Sequence, residues 1–404
     1  MKNNKKLYSA IFVLFTFLFS FTASVATAQT AYITSDDGHV YVIDTASDTV
    51  TSKMPVGNDP YGIAITPDGS KVYVTDFKNN CLYGIDTATH TVSDPVRVGK
   101  TPIGVAVTPN GKKVYVASYD DNTISVIDTA TNTVTSKITG VNKPVGVAIS
   151  PDGTKACVTN VGSTSVYIID TSTDIFVGKV QESINPGAYG IAFNPDRSEI
   201  YTTDRRTNSV SVINGESYNV IATVPVGKDP HGIAVSPNGK KLYVANYGSN
   251  TVSVIDTASN NVTATVPVGN GPFGVGVTPD GKSVYVANRG TDNTQIKTVS
   301  VIDTSTNTVI NTVTVGTNPK AFGVFISTYL SSSTSTSPET TSTPTETASY
   351  PTETSSTPTA TPTNITNINT YYVSYSNLMG FQSQEKYNCF SIHPYSYLGE
   401  KNGS

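Results

Sequence analysis

The chain has 404 residues, with 26 Lys and Arg against 30 Asp and Glu, giving a formal charge of −4. The acidic balance argues against a broad electrostatic grip on nucleic acid. Cys81, Cys157 and Cys389 form neither a disulfide framework nor a metal-spaced set, so stability is expected to come from packing.

The first segment reads as an export leader. Lys2, Lys5 and Lys6 precede an apolar run from Leu7 to Phe21, and Ala26-Thr27-Ala28 supplies the small residues for cleavage after Ala28. The run is short for a membrane span and no second apolar stretch follows, so the mature chain is expected outside the cell with no transmembrane span. Without the three lysines it carries 23 basic against 30 acidic residues, a charge of −7.

A repeat then takes over. A motif of Pro, one variable residue and Gly recurs at Gly62, Gly104, Gly146, Gly190, Gly232, Gly274 and Gly323, in steps of 42, 42, 44, 42, 42 and 49 residues, with Ala in place of Pro in two copies. Ile-Asp-Thr places an Asp at 44, 86, 128, 170, 256 and 303, with Asn214 in the exceptional copy. Each period holds four β-type runs, as in Gly232 to Ser236, Lys241 to Ala245, Thr251 to Asp256 and Val262 to Val268, separated by turn signals such as Pro-Asn-Gly. No window shows useful helical periodicity. Four antiparallel strands in about 40 to 45 residues is a β-propeller blade, so an all-β, seven-bladed propeller is predicted over residues 29–330. The array enters at Ala31-Tyr32-Ile33-Thr34, which matches a second strand, and leaves at Gly323-Val324-Phe325-Ile326-Ser327, which matches a first strand. One blade is therefore expected to combine both ends of the array and remove the exposed edge.

The strand-two motif reads YVTD from Tyr73, YVAS from Tyr115, CVTN from Cys157, YTTD from Tyr201, and YVAN from Tyr243 and Tyr285. With its Ile-Asp-Thr and Pro-Asp-Gly partners, this text resembles the YVTN-type β-propeller repeat proteins of archaeal surface layers and other cell surfaces, over residues 31–327. The resemblance implies a binding or structural role at a cell surface. Related exported propellers include haem-carrying reductase domains, lactonases and nucleic-acid binders. Cys157 in place of Tyr and the missing carboxylate at Asn214 are departures expected to be tolerated.

Residues 331–363 are nearly all Ser, Thr and Pro, which cannot bury a core and read as a disordered, O-glycosylated stalk. Residues 364–404 form a Tyr-rich tail with no anchor motif. Asn261, Asn364 and Asn402 lie in glycosylation triplets.

Residues shared by every copy serve the scaffold, whereas residues that break the repeat can build a unique site. The Ile-Asp-Thr carboxylates are accordingly expected to close Asx-type turns. The string GNGPFG at 269–274 fits a dinucleotide fingerprint by letter, but sister copies occupy it with GNDPYG, GKTPIG and GKDPHG, and no helix follows. Gly-x-Ser-x-Gly, His-Glu-x-x-His and Cys-x-x-Cys-His are absent.

The loop entering strand one and the loop joining strands two and three emerge on one face. There the residue before each motif glycine is Tyr61, Ile103, Val145, Tyr189, His231, Phe273 and Phe322, a ring that either plugs the channel or cradles a ligand. Tyr61, Tyr189, His231, Phe273 and Phe322, with Arg205 and Arg206, are the ligand-binding candidates. Asp59 and Asp229 are weak metal candidates, beside the loop charges Asp76, Asp120, Asp121 and Asp204. No cofactor is expected. The favoured reading is a non-enzymatic surface scaffold that binds an envelope protein or glycan, and the alternative is a small-molecule enzyme of the lactonase-like or haem-carrying type.

Overall fold

Runs rich in Val, Ile, Thr and Tyr, punctuated every few residues by turn chemistry, have no way to form helices and do form strands. The computed structural model describes residues 29–180, 187–291 and 295–327, all belonging to the first of the two units into which the chain divides. Residues 1–28, the Ser/Thr/Pro stretch 331–363 and the tail 364–404, including Asn364 and Asn402, lie outside the described residues. Among the described residues no helix is long and apolar enough to cross a membrane.

The described residues form a seven-bladed propeller. The first blade starts with Pro60–Ile65 and ends in the short outer strand Val96–Arg97. Blades two to six run from Pro102–Val107 to Thr133–Thr139, Pro144–Ile149 to Ile175–Lys179, Ala188–Phe193 to Val220–Pro225, Pro230–Val235 to Asn261–Pro267, and Pro272–Val277 to Thr308–Thr314. Each is a four-stranded meander whose first strand is innermost.

The repeated motif residues have identifiable work. In strand two the third letter of the motif, where it is Thr, stitches neighbouring blades. Thr203 Oγ1 accepts from Gly190 N at 2.8 Å and donates to His231 O in the next blade at 2.9 Å. Thr75 and Thr159 make the same pair of bonds, and Thr34 donates to Tyr61 O but accepts from Ala321 N, two residues before its motif glycine. The motif glycine is required because the next blade's carbonyl presses on its α-carbon: a Cβ on Gly232 would stand 2.3 Å from Phe273 O. The turn carboxylates behave as expected, Asp303 accepting from Ser305 N and Thr306 N at 3.0 and 2.8 Å. Asn214 offers its amide oxygen to Glu216 N and Ser217 N at 3.1 and 2.8 Å, which explains why this copy needs no charge.

Closure occurs as a two-sided clasp. Thr30–Ser35, His39–Asp44 and Thr49–Pro55 form a three-stranded sheet, and the C-terminal segment completes it on the inner side. Tyr32 N donates to Phe325 O at 2.8 Å, Ser327 N to Thr30 O at 2.8 Å and Lys320 N to Thr34 O at 2.9 Å. On its other side Phe322–Val324 lies parallel to Pro60–Ile65 of the first blade. Phe325 is fully buried, and Gly276 makes room for it, since a Cβ there would meet the ring at 2.8 Å.

Candidate functional site

In blades one to six the innermost strand carries a bulge at the variable residue and its glycine. In the fifth blade Pro230 faces Asn246 and the register resumes at Ile233 opposite Val244, leaving His231 and Gly232 against one residue. The bulge takes the variable side chain out of the sheet's alternation and turns it to the channel mouth. This places Tyr61, Ile103, Val145, Tyr189, His231, Phe273 and Phe322 in a single cluster.

The cluster is a plug. Phe273 sits at its centre, with ring centroids 5.5 Å from Tyr61, 4.7 Å from His231, 5.9 Å from Phe322 and 6.1 Å from Tyr189. Tyr61 and Tyr189 share a hydrogen bond between their hydroxyls at 3.0 Å. The expected aromatic candidates are thus brought together, but they are buried against one another, leaving no open aromatic cradle.

A second tier stands on this floor. The residue after each strand-two motif is Asp36, Phe77, Tyr119, Val161, Arg205, Tyr247 or Arg289. Arg205 holds Asp229 through Nε to Oδ1 at 2.6 Å and Nη2 to Oδ2 at 3.2 Å, and stacks 5.0 Å above Tyr189. Asp229 Oδ1 also lies 3.3 Å from His231 Nε2. Burial pushes the His231 imidazole down to about 4, despite Asp229, because a charged ring would lose its water and face Arg205 and Arg289. The imidazole is therefore neutral near pH 7. Burial works to raise the Asp229 carboxyl, but the nearby His231 ring and the bonds from Arg205 outweigh it and hold it far below the usual carboxylate range.

Across the mouth Lys320, 2% exposed, pairs with Asp59 and lies 2.5 Å from Asp36 Oδ1 and 4.6 Å above Tyr61. Asp59 also faces Lys78 at 3.4 Å. Arg289 lies between these groups, its guanidinium 5.1 Å over Phe273 and 6.0 Å over Tyr61. Among the described residues it makes no ion pair.

Of the remaining candidates, only Asp59 and Asp229 belong to this charged tier. Arg206 is exposed and makes no ion pair among the described residues. Asp76 accepts from Asn58 N at 2.8 Å and from Asn79 N at 3.2 Å, and Asp204 accepts from Arg206 N at 2.9 Å, so both tie their own loops. Asp120 takes the Thr101 hydroxyl and Asp121 lies 3.4 Å from Lys137. Asp59 and Asp229 are 170 positions apart in sequence and each is bound to cations, and no metal-holding group of three ligands occurs among the described residues. Asn261 opens the exposed outer strand of the fifth blade.

Sequence reasoning missed Arg289, Lys320, Tyr247 and Phe77 as members of the site. The signal was present: aligning the residue after each strand-two motif, and the residue before each Pro or Ala of the entry motif, isolates two variable columns that carry these charges.

A family model described as "Lactonase, 7-bladed beta-propeller" matches residues 27–327. Among solved structures, Kuenenia stuttgartiensis hydrazine synthase aligns at 28% identity with a TM-score of 0.59, covering 66% of this chain and 90% of that one. A functionally unknown protein from Desulfotomaculum acetoxidans aligns at 18% identity and TM-score 0.62, covering 73% and 99%. Dihydro-heme d1 dehydrogenase NirN aligns at 17% identity and TM-score 0.55, covering 71% and 64%; the last two likenesses concern the fold. No curated protein matches. The family match overturns the expectation of a non-enzymatic envelope scaffold. That expectation rested on the resemblance to surface-layer repeat proteins and on the absence of short linear motifs, whereas a propeller mouth assembles its polar groups one per blade, where no linear motif can register them.

Proposed function

Because the chain belongs to the lactonase family of seven-bladed β-propellers, we propose that it is an enzyme acting on a small cyclic ester bound over the aromatic floor of the charged mouth. The observation that carries this reading is Arg289, a cation over Phe273 and Tyr61 with no carboxylate paired to it among the described residues. A guanidinium so placed can donate two hydrogen bonds to a substrate carbonyl and stabilise the oxyanion that forms when water adds to it. Asp229, kept ionised by Arg205 and the neighbouring His231, can accept a hydrogen bond from that water and orient it. Addition of the water oxygen to the carbonyl carbon and cleavage of the ring C–O bond pass the water proton to the leaving alkoxide, giving a hydroxy acid. We place this chemistry outside the cytoplasm, on the strength of the leader-like residues 1–28.

The test is hydrolysis of a panel of five- and six-membered lactones by the full chain, followed by pH-stat titration. Arg289→Gln is expected to lower kcat/KM by roughly 10²- to 10³-fold, the usual cost of one oxyanion donor. Lys240→Gln, on an exposed turn at the other end of the channel, is expected to leave it unchanged. Wild-type rates no higher than the uncatalysed background across the panel would overturn the reading.

A further inference from the structure

Beneath the plug, the channel holds a cavity of about 480 Å³ that reaches Pro67, Pro109, Pro151 and Pro195 of the turns after the innermost strands. Its size is that of a small-molecule pocket. Every residue lining it is Ala, Ile, Pro, Gly, Val or Phe. The wall contains no side-chain donor or acceptor and no charge. Its polar atoms belong to the main chain, because each innermost strand in blades two to six pairs with strand two alone and turns its other edge to the channel.

The sixth residue of each innermost strand decides the character of this wall. It is Ile65, Val107, Ile149, Phe193, Val235 and Val277 in blades one to six, and Ile326 in the closing blade. Five of these, Val107 to Val277, are left half-buried. Ser and Thr are abundant in this chain and occupy the very next position as Thr66, Thr108, Ser150, Ser236 and Thr278, where the hydroxyl bonds the turn, as Thr66 Oγ1 does at 3.2 Å to Lys71 O. A water-filled channel would accept hydroxyls one residue earlier equally well, and this one has none. A wall that combines apolar side chains with free main-chain edges suits a guest with an apolar body and a few uncharged hydrogen-bonding groups.

We infer that the lower channel is a binding site for one neutral, largely apolar small molecule bearing one or two uncharged hydrogen-bonding groups. The apolar body fills the space between the sixth-position side chains. The uncharged groups meet the free strand edges. An ionised ligand is excluded, since no residue on the wall could neutralise a buried charge. The site is separate from the lactone site, because the Phe273-centred plug and the Tyr61–Tyr189 hydroxyl bond lie between them.

The experiment is fluorescence titration of the full chain with the neutral probe N-phenyl-naphthylamine. Saturable binding of one probe per chain is expected, displaced by decanol at a concentration about tenfold or more below that needed with the decanoate ion. The double variant V107F/V277F narrows the channel by placing at two more blades the ring that Phe193 already carries at the equivalent position, so folding is retained. It is expected to weaken the probe by about tenfold or more. Arg289→Gln, at the other end, is expected to leave binding unchanged even where it abolishes lactone hydrolysis. Absence of saturable binding to the wild type overturns the inference. So does equal displacement by decanol and decanoate, or binding that survives the double variant with an unchanged thermal midpoint.

Discussion

At one end of the central channel the seven innermost strands present Tyr61, Ile103, Val145, Tyr189, His231, Phe273 and Phe322 beneath a tier of charges. Four residues further along, the same strands present Ile65, Val107, Ile149, Phe193, Val235, Val277 and Ile326 and no charge at all. One end differs from blade to blade, and the other repeats. The difference shows how a symmetric scaffold gains a single site. Equivalent bulges in six blades, with the closing strand, deliver seven side chains to one mouth, and there the chain varies size and charge.

The largest test removes the clasp that joins the two termini of the array. A chain ending at Thr317 loses the inner strand of the closing blade, including fully buried Phe325 and the bonds to Thr30, Tyr32 and Thr34. Loss of Phe325 alone is expected to cost about 3–5 kcal/mol, and thermal unfolding should show a far lower midpoint than for a chain ending at Leu330. Equal midpoints would mean that the ring does not depend on closure.

Next comes Lys320→Ala at the charged end. It leaves Asp36 without its ion pair and Asp59 with only the exposed Lys78. A destabilisation of about 3–5 kcal/mol is expected in urea unfolding, against a change within ~0.5 kcal/mol for Lys240→Ala on the exposed repeated turns. Similar losses at both lysines would remove the distinction between the ends.

Acid sharpens the comparison further. His231 has its folded value near 4 against an ordinary value of 6.5, so the unfolded chain takes up a proton that the folded chain refuses. Stability from this group is complete above pH 6.5, falls as pH drops from 6.5 toward 4, and is lost below that, about 3 kcal/mol in all. His231→Phe, an aromatic replacement in an aromatic ring, is expected to flatten that part of the pH–stability curve. Loss of Asp229 pairing lies at lower pH and should persist in the variant as the remaining acid slope. An unchanged slope in the variant would show that His231 is not buried neutral.

The smallest effect is expected at the repeated turns. Asn214→Asp restores the residue found in the other six copies, and the amide oxygen already accepts from Glu216 N and Ser217 N. Chemical denaturation should change by no more than ~0.5 kcal/mol.

Most of the scaffold could be read from the text because each repeated letter answers a local demand. Asp at the strand-three exit accepts two turn amides, and Gly after the variable residue yields to a neighbour's carbonyl. The aromatic ring at the mouth was legible for the same reason, since its position is set by spacing from Gly. Arg289 and Lys320 were not singled out, because nothing local marks an arginine after YVAN or a lysine before Ala-Phe-Gly as functional.

The sequence by itself determined the blade, the number of blades and the spacing that sets one variable residue before each motif glycine, since these depend on period and on turn chemistry within some forty residues. Only the tertiary structure decided that the mouth aromatics close into a plug, that Arg205 neutralises Asp229 while Arg289 makes no ion pair among the described residues, and that the lower channel has a wall without charge. Those facts depend on distances between side chains from different blades. Electrostatic pairing and cavity shape arise only when the ring brings such residues within a few ångströms, and no spacing along the chain encodes them.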